Sequence, residues 1–377
     1  MNLTISPIKS NLSRTLPISF KGYDIIDGHT HIGGNCNAED LLSLTKDRHP
    51  YDWKSDDVKF FVTSAIENMT KKDGKYLMDE IEGNKKIIEN IRKTSNPEKF
   101  IPLAVCEVDT GNAKNIDKLL SSKDDKFYGL KFHPMVIEID ADDERYNPYM
   151  KVAQKHKVPC VFHTENGYAD PKKIYELAKR TPDVPVVLYH MNIVPSGKVG
   201  DRPEEEINSK GLQNDKDKWC WDVREAWNRE GVDVVEQAIK NKDANLYLET
   251  SWTKPEFVVE AIKRVGADRV IWGTDAPIGD NGENSNREKY IDHVNEFKKA
   301  IREAFPENAE EIEDKVFYKN AEKLFGKNKQ QNPIMQFANK VENGAKQLYT
   351  NYINSKAENI KTLQKSDNLN ANFALLA

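Results

Sequence analysis

Two histidines with a single residue between them, His29 and His31, follow a short apolar run near the beginning of the chain. If this run is a strand, successive side chains point to opposite faces, so Asp27, His29 and His31 lie on the same face. Two imidazoles at this spacing can bind one cation, with Asp27 nearby to hold a ring in place. Residues 24–31 alone fit a metal site and a pair of solvated histidines equally well.

Three further apolar runs end in a polar side chain that could bind a cation. His163 ends residues 158–163, His190 ends residues 184–190 and Asp275 ends residues 269–275. A buried interior does not accept such side chains without partners, and coordination to a cation is one way to satisfy them. Each histidine taken singly is better explained by a structural hydrogen bond, but the set together indicates a metal site. Imidazole nitrogens with a carboxylate suit Zn²⁺, with Mn²⁺ or Fe²⁺ as alternatives.

Eight short apolar runs, mostly separated by helical patterns, must position these residues. They are residues 23–31, 60–65, 101–106, 127–134, 158–163, 184–190, 245–251 and 269–275. Strands that alternate with helices pair in parallel through right-handed crossovers, and eight of them close a (β/α)8 TIM barrel. An open doubly wound sheet is the alternative, but no Gly-x-Gly-x-x-Gly turn follows the first run. In a barrel the carboxyl ends of all strands meet at one face, which would bring the histidines and Asp275 together.

The barrel is expected to span residues 23–327, between an N-terminal arm and a C-terminal extension. Residues 1–22 carry scattered Ser, Pro and Asn without the apolar segment of a signal peptide, and predict a flexible arm on a cytoplasmic protein. Residues 328–377 are rich in Asn, Lys and Gln and predict one or two helices with a loose end. The polar stretch 193–231, after the sixth strand, predicts a long loop that is either a lid or a packed surface excursion.

Composition excludes several classes of protein. The chain has 377 residues, of which 38% are hydrophobic and 31% charged, and a net charge of −5. This balance gives no indication of a nucleic-acid partner, and no stretch is apolar enough to cross a membrane. The four scattered cysteines lack Cys-x-x-Cys spacing, so free thiols are expected. A small-molecule substrate is the expected partner, and self-association is left open.

Several motifs in this order resemble the amidohydrolase superfamily, most closely its amidohydrolase-related branch of metal-dependent hydrolases and decarboxylases. They are Asp27-Gly28-His29-Thr30-His31, Lys131-Phe132-His133-Pro134, Val161-Phe162-His163, Leu188-Tyr189-His190 and Trp272-Gly273-Thr274-Asp275-Ala276-Pro277. Residues 320–326 are similar to the helix that closes the barrel of that branch. The resemblance extends over about residues 23–327.

The resemblance implies a role for each matching residue. His29, His31, His163 and Asp275 would be the metal ligands. Asp275 would also transfer the proton of the attacking water. His190 would either bind a second metal or orient water or substrate.

The resemblance also bears on the number of metal ions. In binuclear members of the superfamily a carboxylated lysine on the fourth strand bridges two metals, and Lys131 occupies that strand. The Lys-x-His-Pro pattern is instead similar to mononuclear relatives. One ion is therefore favoured over two, with Lys131 and His133 as substrate contacts. The structural alternative for His133 is a ring stacked on Pro134.

The sequence therefore predicts a hydrolase that cleaves an amide, ester or lactone bond with metal-activated water. Asp275 would handle the proton and His190 would steady the developing oxyanion. Non-oxidative decarboxylation on the same residues is the alternative reaction, and a metal-bearing barrel without catalysis is a third hypothesis. Lesser candidates are Glu107 and Glu249 at strand ends, Lys198 and Arg202 in the long loop, and Cys36 beside the site; Cys160 is expected to be inert.

Overall fold

The computed structural model describes residues 24–34, 36–45, 57–165, 167–193, 221–277 and 287–326. Within these ranges, eight parallel strands alternate with helices, and they are numbered here β1–β8; a short antiparallel hairpin, Lys71–Lys72 with Lys75–Tyr76, is left unnumbered. The strands are β1 Asp24–Ile32, β2 Asp57–Ala65, β3 in two segments Phe100–Pro102 and Ala104–Val105, β4 Leu130–Phe132, β5 Cys160–Glu165, β6 Pro185–Ile193, β7 Asn245–Glu249 and β8 Val270–Ile271.

Each of these strands pairs in parallel with the next, from β1 through to β8. Backbone hydrogen bonds then join the end of β8 to β1. The Gly28 amide donates to the Trp272 carbonyl at 2.9 Å, the Asp275 amide donates to the His29 carbonyl at 2.8 Å, and the His31 amide donates to the Ala276 carbonyl at 2.8 Å. The predicted TIM barrel is therefore confirmed, and the segment that carries Asp275 lies directly beside β1.

Helices lie between the strands and after the last one, and those that begin at Ala38, Glu80, Ala113, Asn147, Pro171 and Pro255 lie close to where apolar periodicity predicts them. They are α1 Ala38–Ser43, α2 Glu80–Arg92, α3 Ala113–Leu120, α4 Pro134–Ile137, α5 Asn147–His156, α6 Pro171–Ala178, α7 Trp221–Asn241, α8 Pro255–Val265, α9 Arg287–Ala304, α10 Ala309–Asp314 and α11 Asn320–Phe325. Apolar spacing predicts a helix over residues 76–93, but α2 begins at Glu80 because the Asp79 side chain accepts from the Ile81 and Glu82 amides and caps the helix there.

Alternation along the strands separates two apolar layers. On β4, Leu130 and Phe132 belong to the outer layer between strands and helices, so Lys131 points into the barrel. The inner layer combines residues of seven strands with those of the last helix: Ile26, Val62, Ile101, Leu103, Val161, Val187, Tyr189, Tyr247, Ile271, Ala321, Leu324 and Phe325. Helix α11 thus packs against the barrel interior, as the resemblance of residues 320–326 implied.

The prediction of one loop over residues 193–231 is wrong at both ends. β6 continues to Ile193, and α7 already begins at Trp221. The polar stretch that suggested a loop ends in a helix, whose later part has helical apolar spacing at Val232, Val235 and Ala238, all of which are buried. Residues 194–220 lie outside the described part of the chain, so the choice between lid and surface excursion stays a prediction.

Other predicted segments differ in length or lie outside the described ranges. The fourth run was expected over residues 127–134, but only Leu130–Phe132 is strand, and Pro134 begins the short helix α4 instead of merely ending a strand. The predicted arm at 1–22 and the predicted extension at 328–377 both lie entirely outside the described residues. None of the described helices is long and apolar enough to cross a membrane.

Candidate metal centre

β1 and the segment after β8 bring three potential ligand atoms together. Nε2 of His29 and Nε2 of His31 lie 3.0 Å apart. Oδ1 of Asp275 lies 3.2 Å from the first of these nitrogens and 2.9 Å from the second. Donor atoms about 2.0–2.2 Å from a shared ion have mutual separations of this size, so two imidazoles and one carboxylate fit a divalent cation.

The other nitrogen of each ring is held by a hydrogen-bonding side chain. Nδ1 of His29 lies 3.2 Å from both Oε2 of Glu249 and Oγ of Ser251. Nδ1 of His31 lies 3.0 Å from Oγ of Ser64. Partners of this kind on Nδ1 fix the ring orientation and leave the Nε2 lone pair for a metal. The ligand geometry therefore depends on the ends of β2 and β7 as well as on β1.

Asp275 is held at its other carboxylate oxygen and through its backbone. Oδ2 accepts from Nε1 of Trp252 at 2.8 Å, and the residue adopts a left-handed backbone with φ 59°. Burial opposes ionisation of the carboxyl, but the hydrogen bond and charge of His31 outweigh it and lower the pKa of Asp275 below its ordinary value. Asp275 is thus an ionised carboxylate with Oδ1 directed at both rings.

Burial favours the neutral form of three imidazoles at this centre, those of His29, His31 and His190. Burial lowers the pKa of His29 and His190 well below the ordinary value of 6.5. Nearby positive groups lower the pKa of His29 further, whereas at His190 the charge of Asp275 acts in the opposite direction. Burial also lowers the pKa of His31, although the hydrogen bond and charge of Asp275 act in the opposite direction. The neutral imidazole is the form that binds metal ions.

His190 and His163 extend the cluster away from β1. Ligand atoms of His29, His190 and Asp275 all lie within 4.8 Å of one another. The His190 ring centroid lies 4.9 Å from that of His29 and 4.9 Å from that of His163. Nε2 of His163 is 3.5 Å from Oε2 of Glu165. The structure therefore gathers the residues predicted as ligands, with His29, His31 and Asp275 forming the tightest group.

Lys131 and His133, the predicted substrate contacts, have polar atoms that are buried without a hydrogen-bond partner among the described residues. The Lys131 side chain is fully buried, and its Nζ lies 4.2 Å from the Tyr189 ring centroid. Burial lowers the pKa of Lys131 to about 7. The His133 ring stacks on the His163 ring, with the two ring centroids 4.0 Å apart. A ligand that enters this centre could satisfy both unpaired nitrogens.

The lesser candidates separate clearly. Glu249 lies within the centre, whereas Glu107 accepts from Asn68 and Thr110 at a different site. Cys160 packs in the outer apolar layer, where burial raises the pKa of its thiol. Burial and the charges of Asp275 and Glu67 raise the pKa of the half-buried Cys36 thiol, which disfavours a thiolate ligand. Lys198 and Arg202 lie outside the described residues.

Three residues that hold the ligands were not found by sequence reasoning. Ser64 lies near the end of the predicted strand 60–65, and Ser251 ends the predicted strand 245–251. These positions place both side chains at the carboxyl face of the barrel, which could have identified them as candidate partners of the histidines. Trp252 follows β7 with a left-handed backbone at φ 62°. No pattern in the sequence indicates that conformation or the contact with Asp275 that it allows.

Gly273 explains part of the Trp-Gly-Thr-Asp motif. A Cβ at this position would lie 2.4 Å from Oε1 of Glu249 and 3.0 Å from Cβ of His29. The glycine therefore lets the segment before Asp275 approach both β1 and β7. Asp27 serves the same junction: its carboxylate accepts from the Thr274 hydroxyl at 2.6 Å and the Tyr290 hydroxyl at 3.0 Å. Asp27 thus holds β1 to the segment that carries Asp275. None of its hydrogen bonds within the described residues goes to an imidazole nitrogen, so it does not hold a histidine ring as the sequence suggested.

Comparison with known proteins gives matches among solved structures and family models, and none among curated proteins. One similar solved structure is a probable 2-pyrone-4,6-dicarboxylic acid hydrolase from Acinetobacter baumannii with citric acid bound, at 12% identity over 81% of this chain and 100% of that chain, with a TM-score of 0.46. A second is 5-carboxyvanillate decarboxylase from Novosphingobium aromaticivorans complexed with manganese, at 11% identity over 81% and 98%, with a TM-score of 0.49. A third is 2,6-dihydroxybenzoate decarboxylase from Rhizobium, at 15% identity over 81% and 99%, with a TM-score of 0.48.

The family comparison covers most of the barrel. The matching model, described as amidohydrolase, extends over residues 92–327 and so includes His163, His190 and Asp275 but not β1. The match covers more than half of the chain, and the protein therefore belongs to the amidohydrolase family.

Proposed function

We propose that this protein is a metal-dependent hydrolase that cleaves an amide, ester or lactone bond of a small molecule. The observation that carries the proposal is the triangle of His29 Nε2, His31 Nε2 and Asp275 Oδ1, whose sides measure 2.9–3.2 Å. When bound there, a divalent metal ion would polarise a carbonyl and make water nucleophilic near neutral pH. His29, His31, His163 and Asp275 would hold it. Zn²⁺ is the proposed ion, with Mn²⁺ or Fe²⁺ as alternatives.

One ion is proposed because the three tightest donor atoms surround a single point. Lys131, which would have to bridge two ions, has its Nζ over the Tyr189 ring. In this hypothesis it stays an unmodified amine that faces the substrate, together with His133.

Asp275 is the proposed proton acceptor. It is ionised, and its Oδ1 lies at the centre while Trp252 holds Oδ2. A carboxylate fixed in this way can take the proton of an attacking water and pass it to the leaving group without leaving its position.

His190 is the proposed group that steadies the developing oxyanion. Its Nδ1 lies 2.7 Å from Oγ of Ser251, and the same hydroxyl lies 2.7 Å from Oε2 of Glu249, to which it donates. In this proposal the hydroxyl turns its proton to Nδ1 when substrate binds, so that the ring proton is on Nε2 and can be donated to an oxygen of the substrate. Such a preorganised donor stabilises charge that develops in the transition state.

A metal-reconstitution experiment tests this function. The protein is stripped with a chelator and reloaded with zinc, manganese or iron(II), and bound metal is measured by mass spectrometry. Each form is then assayed on para-nitrophenyl acetate, para-nitroacetanilide and a δ-lactone. We expect about one ion per chain and hydrolysis of at least one substrate class, with both lost in His29→Ala and hydrolysis lost in Asp275→Asn.

His156→Gln is the matched control, because His156 contacts Asp117 on the outside of the barrel. It should bind metal and hydrolyse substrate like the wild type. Carbon dioxide release from a panel of small carboxylic acids, without hydrolysis of any ester, amide or lactone, would replace this proposal with the decarboxylase alternative. A protein that takes up none of the three metals would refute the metal-dependent reaction altogether.

A further inference from the structure

The end of β6 contains an irregularity next to His190. His163 of β5 pairs with Tyr189 and Glu165 pairs with Ile193, so two steps along β5 correspond to four along β6. The extra residues form a bulge. Bulges of this kind often occur next to active sites, where they redirect a side chain.

The bulge has an unusual backbone. His190, Met191 and Asn192 have φ values of 66°, 57° and 103°, although none of them is glycine. Residues with a Cβ rarely adopt positive φ, and three in succession persist only where surrounding contacts hold them. The neighbouring elements must therefore supply those contacts.

Helix α7 supplies two of them through Asn228. This side chain is buried, with 1% exposure. Its Nδ2 donates to the His190 carbonyl at 2.8 Å and to the Asn192 carbonyl at 2.9 Å. A single amide group thus binds the carbonyls on both sides of Met191 and fixes the shape of the bulge.

Gly231 lies three residues further along α7, on the same face of the helix. A Cβ on this residue would lie 1.7 Å from the Met191 carbonyl oxygen. Only glycine allows the helix to approach the middle of the bulge this closely. Helix α7 therefore faces all three carbonyls of the left-handed stretch. Asn228 binds those of His190 and Asn192, and Gly231 lies against that of Met191.

The opposite side of the bulge is held by β7 and the residues that follow it. The His190 amide donates to Oε2 of Glu249 at 3.2 Å, and Oγ of Ser251 lies 2.7 Å from Nδ1 of the ring. The same Glu249 oxygen contacts His29. Movement of the bulge would therefore displace the His190 ring relative to the centre.

We propose that Asn228 and Gly231 are positioning residues that hold the left-handed bulge at residues 190–192 and thereby direct His190 at the centre. The inference rests on the proposed function insofar as His190 acts on the substrate. Helix α7 contributes no ligand to the centre within the described residues. It nevertheless determines the orientation of His190, one of the histidines of the centre.

The test uses the full chain with substitutions on both sides of the contact. Asn228→Ala removes both donors, Asn228→Ser is a milder change, and Gly231→Ala pushes on the Met191 carbonyl. Asn241→Ala is the matched control, because Asn241 belongs to the same helix but donates to the Tyr175 hydroxyl. Asn192→Gly combined with Asn228→Ala tests rescue, since glycine accepts positive φ without strain.

The first readout is hydrogen–deuterium exchange of the amides at residues 186–193, which needs no substrate. Exchange in this segment should be at least about tenfold faster in Asn228→Ala and Gly231→Ala, because local opening becomes easier there. It should be unchanged in Asn241→Ala and slower again in the double variant with Asn192→Gly. If Asn228→Ala does not fold, Asn228→Ser gives the same comparison.

The second readout is hydrolysis of whichever ester, amide or lactone probe the wild type cleaves. We expect kcat to fall roughly tenfold or more in Asn228→Ala with KM changed less than about threefold, because His190 acts in the transition state. Metal content should stay at the wild-type level, and Asn192→Gly should restore part of kcat.

The two readouts separate the two hypotheses. Unchanged exchange at residues 186–193 in the folded Asn228 and Gly231 variants would overturn the positioning role, whatever the activity. Faster exchange with unchanged kcat would also overturn it, because the bulge would then not direct a functional ring. Absence of any activity in the wild type would count against the proposed function only, and the exchange and rescue data would still decide whether α7 holds the bulge.

Discussion

His29 and Glu249 are joined across the open face of the barrel, with Nδ1 of the ring 3.2 Å from Oε2 of the carboxylate. The same carboxylate accepts from the Ser251 amide at 2.6 Å and the His190 amide at 3.2 Å. One buried side chain on β7 thus orients one proposed ligand and the backbone of His190. The geometry of the centre therefore depends on Glu249, which is not a proposed metal ligand, as well as on the ligands themselves.

Glu249→Gln should weaken metal binding although Glu249 is not itself a proposed ligand. In the wild type the Glu249 carboxylate is surrounded by hydrogen-bond donors. The glutamine side chain replaces one acceptor oxygen with an NH₂ group, which cannot accept from these donors, so the His29 ring loses its fixed orientation. Loss of such a partner typically reduces metal affinity about 10–100-fold. Titration against a chromophoric chelator measures this change.

Glu107→Gln is the control for that substitution, because Glu107 is also a buried carboxylate but contacts Asn68 and Thr110. Its metal affinity should equal that of the wild type. Equal affinity of Glu249→Gln and wild type would show that His29 does not need this partner.

Trp252→Phe tests the contact with Asp275 separately. The substitution keeps most of the ring and removes the N–H that donates to Oδ2 at 2.8 Å. A hydrogen bond to a charged group contributes about 1.5–3 kcal/mol, so we expect metal affinity or kcat to fall roughly 10–100-fold. Chelator competition and steady-state kinetics measure the two effects.

Trp272→Phe is the matched comparison for Trp252. Its side chain is fully buried, and its Nε1 has no hydrogen-bond partner among the described residues. This variant should lower the free energy of unfolding through lost packing and leave metal affinity unchanged. If both variants change affinity alike, the effect comes from general loosening and not from the bond to Asp275.

The sequence was sufficient for the barrel because the apolar runs are short, regular and separated by helical patterns. Apolar periodicity predicts helices over residues 147–156 and 255–265, which are the observed bounds of α5 and α8. The ends of β1, β5 and β6 and the segment after β8 carry the polar residues of the motifs. Convergence follows from topology, since parallel strands of a barrel end at one face.

The residues that orient the ligands could not be predicted in the same way. Trp252 and Asn228 act through backbone conformations with positive φ, at Trp252 itself and at residues 190–192, and no alternation or helical period encodes these. Glu249 and Glu107 looked equivalent in sequence, as acidic residues at strand ends. Only the three-dimensional partners separate the one that contacts His29 from the one that does not.

Glu107 should make the stability of the protein depend on pH. Burial raises the pKa of Glu107 from 4.5 to about 7. Between these values the folded state holds a proton that the unfolded state has released, so stability is lost as pH rises from 4.5 to 7. Glu107→Gln removes this loss, and its free energy of unfolding relative to wild type should increase by roughly 1–3 kcal/mol between pH 4.5 and pH 8.

Urea unfolding of both proteins at the two pH values measures that difference. Glu80→Gln is a useful comparison, since its carboxylate accepts from the backbone amides of Glu107 and Asn112 and cannot be replaced without losing an acceptor. It should destabilise the protein at pH 8. A pH-independent difference between Glu107→Gln and wild type would contradict the predicted titration.

Lys131→Met should make the protein more stable and less active. Burial lowers the pKa of Lys131 from 10.5 to about 7, and its Nζ has no hydrogen-bond partner among the described residues. Between these pH values the unfolded state carries a proton that the folded state lacks, so the wild type gains stability as pH rises from 7 to 10.5. Methionine has similar shape and no charge to lose, and should remove this penalty.

Unfolding at pH 7 and pH 9.5 checks the sign of the effect. The stability advantage of Lys131→Met should be largest at pH 7 and smaller by roughly 2 kcal/mol or more at pH 9.5. We also expect Lys131→Met to reduce kcat/KM at least about tenfold. Such a result would show that the buried amine serves function at a cost in stability, because stability and activity often oppose each other at active sites. A variant that is more stable and equally active would instead remove Lys131 from the proposed substrate contacts.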